Sequence, residues 1–198
     1  MIATPSYNYL SPAEYLQGEE TSPIKHEYRD GDVYAMAGAS NTHVIITGNV
    51  FAMLRNHLRG SGCQAYVADT KAHIESINTY YYPDVIVSCD QKDKAFNNFL
   101  RYPCLIIEVL SPTTEAFDRG DKFADYRQME SLQEYVLVSQ TRVNVEIFRR
   151  NSEGQWVFYS YVKGENVHLA SVDFHCPIED VYEDINFESP AVENPPKL

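Results

Sequence analysis

Two acidic residues stand at the ends of two short apolar segments of this chain. Asp84 follows Pro83 and precedes the apolar run 85–87, and Glu108 follows the apolar run 105–107. A half-buried carboxylate is costly unless it has a partner or its pKa shifts. A bound cation is the usual reason to place two such groups together, and carboxylate oxygens suit Mg²⁺ or Mn²⁺. The pair therefore predicts a metal site with Asp84 and Glu108 as ligands.

Such a cation would lower the pKa of a bound water and neutralise charge on a phosphate, with the carbonyl of Val109 as a further ligand. Phosphodiester hydrolysis also needs a nearby positive side chain. Lys122 follows the Glu108 segment, and Lys71 precedes Asp84. We favour Lys122 and keep Lys71 as the alternative. A structural ion pair between Glu108 and Lys122, without any metal, is the ordinary alternative for the same residues.

The elements that position these residues follow from apolar spacing. Residues 83–89 and 102–110 are predicted strands, and the period of two places Asp84 and Glu108 together if the strands are neighbours. A helix over 118–129 would place Asp118, Lys122 and Tyr126 on one face. The segment 102–110 is the most apolar, so it is predicted to be central in the sheet.

The N-terminal part predicts a capped helix from Ser11 and a hairpin over 26–36. The hairpin turns at Asp30-Gly31, which tolerates positive φ at both positions, and this register places Glu27 opposite Tyr34. A helix over 40–58 follows, with His43 in its first turn either solvated or facing a cleft.

Residues 65–77 alternate and predict one strand. Asp69 and Lys71 share a face of this strand, which is either solvated or the wall of a site.

The C-terminal part predicts strands over 134–139, 143–148 and 156–161. The order of elements indicates an α/β (α+β) fold, a mixed β-sheet flanked by helices with an N-terminal hairpin and extra C-terminal strands. We predict a single domain over residues 1–187 and a tail over 188–198 that is either disordered or laid over a neighbour, because prolines recur there without periodicity.

Composition narrows the partners and the compartment. The net charge of −12 argues against broad, nonspecific binding to phosphate backbones. No apolar run reaches the roughly 20 residues of a membrane span, and no secretory signal is evident, so a cytoplasmic location is expected. Fifteen tyrosines and the proline-rich tail suit a homodimer.

The four cysteines are scattered, so neither zinc nor a disulfide framework is expected. Cys89 and Cys104 lie among apolar residues and are interpreted as small core side chains.

An ordered set of motifs resembles the Uma-two family of restriction endonucleases over roughly residues 10 to 185. The matching residues are Pro83-Asp84, the run Glu108 to Thr114, then Asp118, Lys122 and Tyr126, then Glu134 to Val138, with the hairpin Glu27 to Asp32 and the segment around His43.

The resemblance implies a restriction-endonuclease-like core of the PD-(D/E)XK nuclease superfamily, with DNA as substrate. It implies metal ligands at Asp84 and Glu108 and accessory acids at Glu27 and Asp69. The superfamily's lysine position, two residues after Glu108, is occupied by Leu110. Either the lysine role has moved or the fold persists with weakened chemistry.

The sequence therefore predicts a metal-dependent endodeoxyribonuclease that hydrolyses phosphodiester bonds. The alternative is a noncatalytic binding or regulatory module that retains the nuclease fold. A third, weaker hypothesis is a metal-dependent hydrolase of small phosphate-containing substrates.

Overall fold

The computed structural model describes residues 9–187, so the predicted tail at 188–198 lies outside the described residues. The strands are β1 (His26–Arg29), β2 (Asp32–Ala35), β3 (Gln64–Val67), β4 (Lys71–Ile74), β5 (Thr79–Tyr81), β6 (Val85–Ser88), β7 (Phe99–Leu100), β8 (Pro103–Leu110), β9 (Glu134–Ser139), β10 (Asn144–Arg150), β11 (Trp156–Val162), β12 (Asn166–Leu169) and β13 (Phe174–Pro177). The helices are α1 (Pro12–Glu19), α2 (Asn41–His57), α3 (Glu115–Phe117), α4 (Phe123–Tyr126) and α5 (Ile178–Val181). A π-helical turn (Asp118–Lys122) joins α3 to α4, and 3₁₀ turns cover Glu75–Ile77, Gln91–Ala95 and Ala170–Val172.

In the described residues the strands form a six-stranded sheet in the order β11-β10-β9-β8-β6-β3, a five-stranded sheet in the order β2-β1-β5-β4-β7, and the hairpin β12-β13. Within these sheets, β8 pairs with β9 and β4 pairs with β7 in parallel, and the other pairs are antiparallel. This confirms the predicted mixed α/β architecture. It also places β8 in the interior of the larger sheet, as its apolar sequence predicts.

The two faces of the six-stranded sheet are covered by different elements. One face carries Ile107 and Val136 and packs against α2 and the β12–β13 hairpin. The opposite face carries Ile106 and Leu110 and packs against α4 and strands of the five-stranded sheet. Because side chains alternate along β8, Glu108 lies on the second face.

The structure confirms the predicted N-terminal hairpin and the two helices capped by Ser11 and Ser40. Asp30 and Gly31 have φ of 41° and 102° in the β1–β2 turn, and Glu27 pairs with Tyr34. Gly31 is required for a second reason, because a Cβ there would lie 2.4 Å from the Tyr9 ring. In α2 the Ser40 side chain accepts a hydrogen bond from the backbone N–H of His43.

The single strand predicted over 65–77 is wrong. Ala68 adopts a left-handed conformation with φ of 63°, which interrupts the extended chain. As a result β3 joins the six-stranded sheet, while β4 joins the five-stranded sheet. Asp69 lies in the connection, and it therefore does not share a strand face with Lys71.

The helix predicted over 118–129 is also different in the structure. The helical segment begins at Glu115 and ends at Tyr126, with a π-helical turn in the middle. Such turns occur frequently at functional sites, and this one carries Asp118 and Lys122.

The expectations for the cysteines need correction. Cys63 and Cys89 form a disulfide that links the start of β3 to the end of β6. Cys89 is exposed, so it is not a core side chain. Cys104 is a free, partly buried cysteine whose Sγ lies 3.7 Å from that of Cys89. Spacing could not predict this pair, because β3 and β6 become neighbours only in the folded sheet.

Within residues 9–187, no helix combines the length and apolar character needed to cross a membrane.

Candidate active site

The register of β6 and β8 places Asp84 next to Glu108. The two strands are antiparallel, with Val85 opposite Ile107, so the residue before Val85 lies beside the residue after Ile107. Pro83 has no backbone N–H to donate to a ladder, and Asp84 lies directly before the first residue of β6. The predicted meeting of the two strands is therefore confirmed.

Asp84 is held by a backbone and a side-chain partner. Its Oδ2 accepts a hydrogen bond from the backbone N–H of Val109 at 2.7 Å, and its Oδ1 lies 2.8 Å from Nε2 of His43. The Asp84 side chain remains 22% exposed. The carboxylate therefore has a fixed orientation and access to solvent.

Glu108 contacts Lys122 directly. The distance from Lys122 Nζ to Glu108 Oε1 is 3.0 Å, and both side chains are almost fully buried. Tyr126 donates a hydrogen bond to the same Oε1 at 3.2 Å. Asp118, one π-helical turn before Lys122, lies 3.6 Å from Nζ. The predicted shared face of Asp118, Lys122 and Tyr126 is confirmed by these contacts.

Glu27 reaches the same lysine from the N-terminal hairpin. Its Oε1 lies 3.1 Å from Lys122 Nζ and accepts a hydrogen bond from the backbone N–H of Tyr82. The Lys122 ammonium also lies 5.3 Å from the centre of the Tyr81 ring. β1, β5, β8 and the π-helical turn thus converge on one ammonium group. We call Glu27, Asp84, Glu108, Asp118 and Lys122 the acidic cluster.

Burial and mutual repulsion shift the protonation of the acidic cluster. Burial raises the pKa of Glu108 well above its ordinary value, Lys122 opposes the shift, and Asp118, Asp84 and Glu27 increase it. Burial would lower the pKa of Lys122, but Glu108, Glu27 and Asp118 outweigh it and raise this pKa well above its ordinary value. Lys122 is therefore a permanent cation at neutral pH, whereas Glu108 holds a proton more readily than a solvated glutamate.

The donor set fits a divalent cation. Three carboxylates contact the Lys122 ammonium group, and Asp84 lies beside Glu108, so the acidic cluster has more carboxylates than cations in a mostly buried setting. Burial is the main reason that the pKa of Glu108 is raised, and the neighbouring carboxylates Asp118, Asp84 and Glu27 raise it further. Hard oxygen ligands of this kind suit Mg²⁺ or Mn²⁺.

The remaining predicted positions are placed outside the acidic cluster. Asp69 forms an ion pair with Lys25, and its side chain is 80% exposed. Lys71 is buried and its Nζ lies 4.8 Å from the centre of the Tyr82 ring. Burial lowers the pKa of Lys71. Leu110 packs in the core on the same sheet face as Glu108. Of the two candidate lysines, Lys122 is the one that contacts Glu108.

The sequence alone did not predict that His43 contacts Asp84. Its position in the first turn of a capped helix is equally typical of a solvated side chain, and only the packing of α2 against the sheet brings Nε2 to Asp84. For Asp118, the i, i+4 spacing from Lys122 in the sequence already indicated that the two residues share a helix face.

The protein has a mixed α/β architecture that matches a structural neighbour with a nuclease-like fold. A crystal structure described as "a putative nuclease belonging to DUF820", from Anabaena variabilis ATCC 29413, superposes with a TM-score of 0.70 at 16% identity, and the match covers 87% of this chain and 97% of that one.

The chain belongs to the Uma2 family, described as "Putative restriction endonuclease", which matches residues 12–179. This is the Uma-two family that the motifs resemble. Two relatives from Synechocystis sp. are named uncharacterised protein slr1290 and uncharacterised protein sll1609. The first is 41% identical over 178 residues (90% of this chain, 94% of the relative), and the second is 33% identical over 171 residues (85% and 96%).

Proposed function

We propose that this protein is a Mg²⁺- or Mn²⁺-dependent endodeoxyribonuclease that hydrolyses DNA phosphodiester bonds. The observation that supports this most is the pairing of β6 with β8, which places Asp84 beside Glu108, together with the 3.0 Å distance from Lys122 Nζ to Glu108 Oε1. Membership of a family described as restriction endonucleases is consistent with this chemistry.

In this proposal Asp84 and Glu108 are the metal ligands. Both described contacts of Glu108 use Oε1, so we assign Oε2 to the cation. A bound Mg²⁺ or Mn²⁺ lowers the pKa of a water and offsets the charge that develops on the phosphate. His43 holds the Asp84 carboxylate, as partners of metal ligands commonly do.

Lys122 is proposed to act as a cation and hydrogen-bond donor toward the attacking water or the phosphate. Its raised pKa excludes a role as the base at neutral pH, since the ammonium group does not release its proton. Glu27 of β1 contacts Lys122, and Tyr126 donates a hydrogen bond to Glu108. We therefore treat Glu27 and Tyr126 as positioning residues. Asp69 is given no role because of its exposure and its pairing with Lys25.

The test is cleavage of supercoiled plasmid by the purified protein with Mg²⁺ or Mn²⁺. We expect nicked or linear product with wild type and none with Asp84→Ala. Asp69→Ala is the matched control, because it removes an acid of the same type that lies outside the acidic cluster, and it should cleave like wild type. Equal behaviour of wild type and Asp84→Ala across several DNA substrates would contradict the proposal.

A noncatalytic module that retains the nuclease fold is the second candidate. It is favoured by Leu110 at the superfamily's lysine position and by Lys122 being engaged by three carboxylates. Calorimetry separates the two: absence of Mg²⁺ or Mn²⁺ binding that depends on Asp84 and Glu108 supports the module. Turnover of a small phosphodiester without DNA cleavage would support instead a hydrolase of small substrates.

We also propose a homodimer. β11 is an edge strand of the six-stranded sheet, and its large apolar side chains Val157, Phe158, Tyr159 and Val162 are exposed. Exposed aromatic residues beside a sheet edge are typical of protein interfaces. Light scattering coupled to size-exclusion chromatography tests this proposal. A monomer at all protein concentrations would contradict the homodimer.

A further inference from the structure

A second group of metal-ligating side chains lies on the β12–β13 hairpin. It consists of His168, Asp173 and His175, and their ligand atoms all lie within 4.8 Å of one another. The proposed nuclease chemistry does not use these residues. Their chemistry also differs from that of the acidic cluster, because two of the three ligands are imidazoles.

The backbone places the three side chains together. His168 and His175 are directly opposite in the antiparallel ladder, and their rings are stacked at 3.9 Å with an angle of 6° between the planes. Asp173 ends the 3₁₀ turn that joins the two strands, in a left-handed conformation with φ of 50°. The short connection therefore brings the carboxylate back to the paired imidazoles.

Two side chains of the six-stranded sheet, Glu134 and Arg149, hold the start of the turn by hydrogen bonds. Glu134, which is fully buried, accepts hydrogen bonds from the backbone N–H groups of Ala170 and Ser171 and from the Ser171 hydroxyl. Arg149 donates to Glu134 and to the backbone carbonyl of His168. Because the backbone from His168 to Ser171 is held by these contacts, this part of the chain has little conformational entropy left to lose when a ligand binds.

We propose that His168, Asp173 and His175 bind a transition-metal ion of the Zn²⁺ class, in a site separate from the acidic cluster. Imidazole and carboxylate ligands suit Zn²⁺, whereas all-oxygen sites suit Mg²⁺ and Mn²⁺. Three protein ligands leave a coordination position for water.

Binding of one ion by both histidines requires the two imidazole rings to leave their stacked arrangement. A tetrahedral ion about 2.1 Å from each ligand sets the ligand atoms roughly 3.4 Å apart, so the three side chains must close slightly from their present spacing. The two rings must also tilt toward each other, because an ion lies in the plane of each imidazole. His175 and Asp173 are exposed, so they can move without disturbing the core.

The two sites lie on opposite faces of the six-stranded sheet. Val167 and Leu169 of the hairpin pack with Ile107, while Glu108 lies on the other face with Ile106. The ion would link the two strands of the hairpin and the turn, and it would leave Asp84 and Glu108 free for Mg²⁺.

Isothermal titration with Zn²⁺, in the presence of enough Mg²⁺ to occupy the acidic cluster, tests the site. We expect one Zn²⁺ per chain in wild type and in Asp84→Asn. His168→Ala and His175→Ala should each weaken Zn²⁺ binding by about tenfold or more, since each removes one of three ligands. Asp173→Asn should weaken it less, because the amide keeps one oxygen donor and tolerates the left-handed backbone.

Asp184→Asn is the matched control for the aspartate. Asp184 is also exposed and left-handed, with φ of 64°, but it is not among the three proposed ligands, so its variant should bind like wild type. Zn²⁺ should raise the thermal midpoint of wild type but not of His175→Ala, a variant whose folding is checked by circular dichroism. Unchanged Zn²⁺ binding in His175→Ala, or its loss in Asp84→Asn, would overturn the proposal.

Discussion

Replacement of Lys122 by methionine is the perturbation that best tests the electrostatics of the acidic cluster. The substitution keeps much of the volume and removes the only lysine within 4 Å of Glu27, Glu108 and Asp118 among the described ion pairs. The variant then leaves several buried carboxylates without their counter-ion. We expect Lys122→Met to be strongly destabilised at neutral pH without divalent metal.

The size of the expected destabilisation follows from the distances between Lys122 and its carboxylate partners. At an effective dielectric constant of about 20, a unit charge pair separated by the observed 3.0 or 3.1 Å interacts with roughly 5 kcal/mol. Desolvation of each ion offsets much of this attraction, and proton uptake by Glu108 limits the loss. Breaking a buried pair by removing one partner typically costs about 3–5 kcal/mol, which is the expected decrease in the free energy of unfolding.

The destabilisation caused by Lys122→Met should increase with pH. The pKa values of Glu108 and Asp118 are already raised by burial, and loss of Lys122 raises them further. A carboxyl group whose pKa is raised in the folded state contributes most to the free energy of unfolding at pH values below its unfolded pKa. This contribution is lost as the pH rises through the folded pKa. The destabilisation of Lys122→Met should therefore be smaller near pH 5 than at pH 8. Millimolar Mn²⁺ should restore part of the stability, because the cation replaces the missing positive charge.

Urea unfolding followed by the fluorescence of Trp156 measures these changes. Trp156 is the single tryptophan of the chain, and its ring lies 5.4 Å from that of Phe123, the residue after Lys122. Lys71→Met is the control, since Lys71 is equally buried but faces the Tyr82 ring. We expect Lys71→Met to stay within about 1 kcal/mol of wild type. A loss below about 1 kcal/mol for Lys122→Met, or one that is constant from pH 5 to pH 8, would refute the reasoning.

Three further predictions concern the metal, the partner of Asp84 and the disulfide. Mn²⁺ affinity should increase from pH 5 to pH 8, because burial raises the pKa of Glu108 and the metal must displace its proton; calorimetry in buffers of different protonation enthalpy measures the proton release. His43→Ala should weaken Mn²⁺ binding by roughly tenfold, since Asp84 loses the partner that orients it, and His43→Gln should recover part of this loss in the same titration. Reduction of the Cys63–Cys89 disulfide should lower the free energy of unfolding by about 3 kcal/mol, because it closes a loop with a sequence separation of 26; urea unfolding with and without reductant measures the difference.

The His43 and disulfide predictions have specific controls. His57→Ala removes a histidine of the same helix that contacts the carbonyl of Val172, and its Mn²⁺ affinity should be unchanged. Cys104→Ser removes a free thiol and should keep the full effect of reductant. Adding Cys63→Ser to the Cys104→Ser variant should abolish this effect, because Cys89 then has neither Cys63 nor the nearby Cys104 to pair with. An Mn²⁺ affinity that is flat with pH, or His43→Ala binding equal to wild type, would contradict the assigned contacts.

The sequence by itself determined the local elements and the identity of the acids. The turn at Asp30-Gly31 and the cap at Ser40 depend on neighbouring residues, so they were predictable. The Pro83-Asp84 and Glu108 segments likewise identified two strand ends that could hold a cation. The i, i+4 spacing of Asp118 and Lys122 indicated their common face.

Only the tertiary structure decided which charges meet. Glu27 and His43 reach the acidic cluster because β1 and α2 pack against distant elements, and no local pattern encodes those distances. Asp69 looked equivalent in sequence, but the left-handed Ala68 directs the chain away and leaves the carboxylate in solvent. Long-range pairing likewise joined Cys63 to Cys89. These outcomes depend on the balance of burial and charge in the folded chain, which spacing along the sequence does not contain.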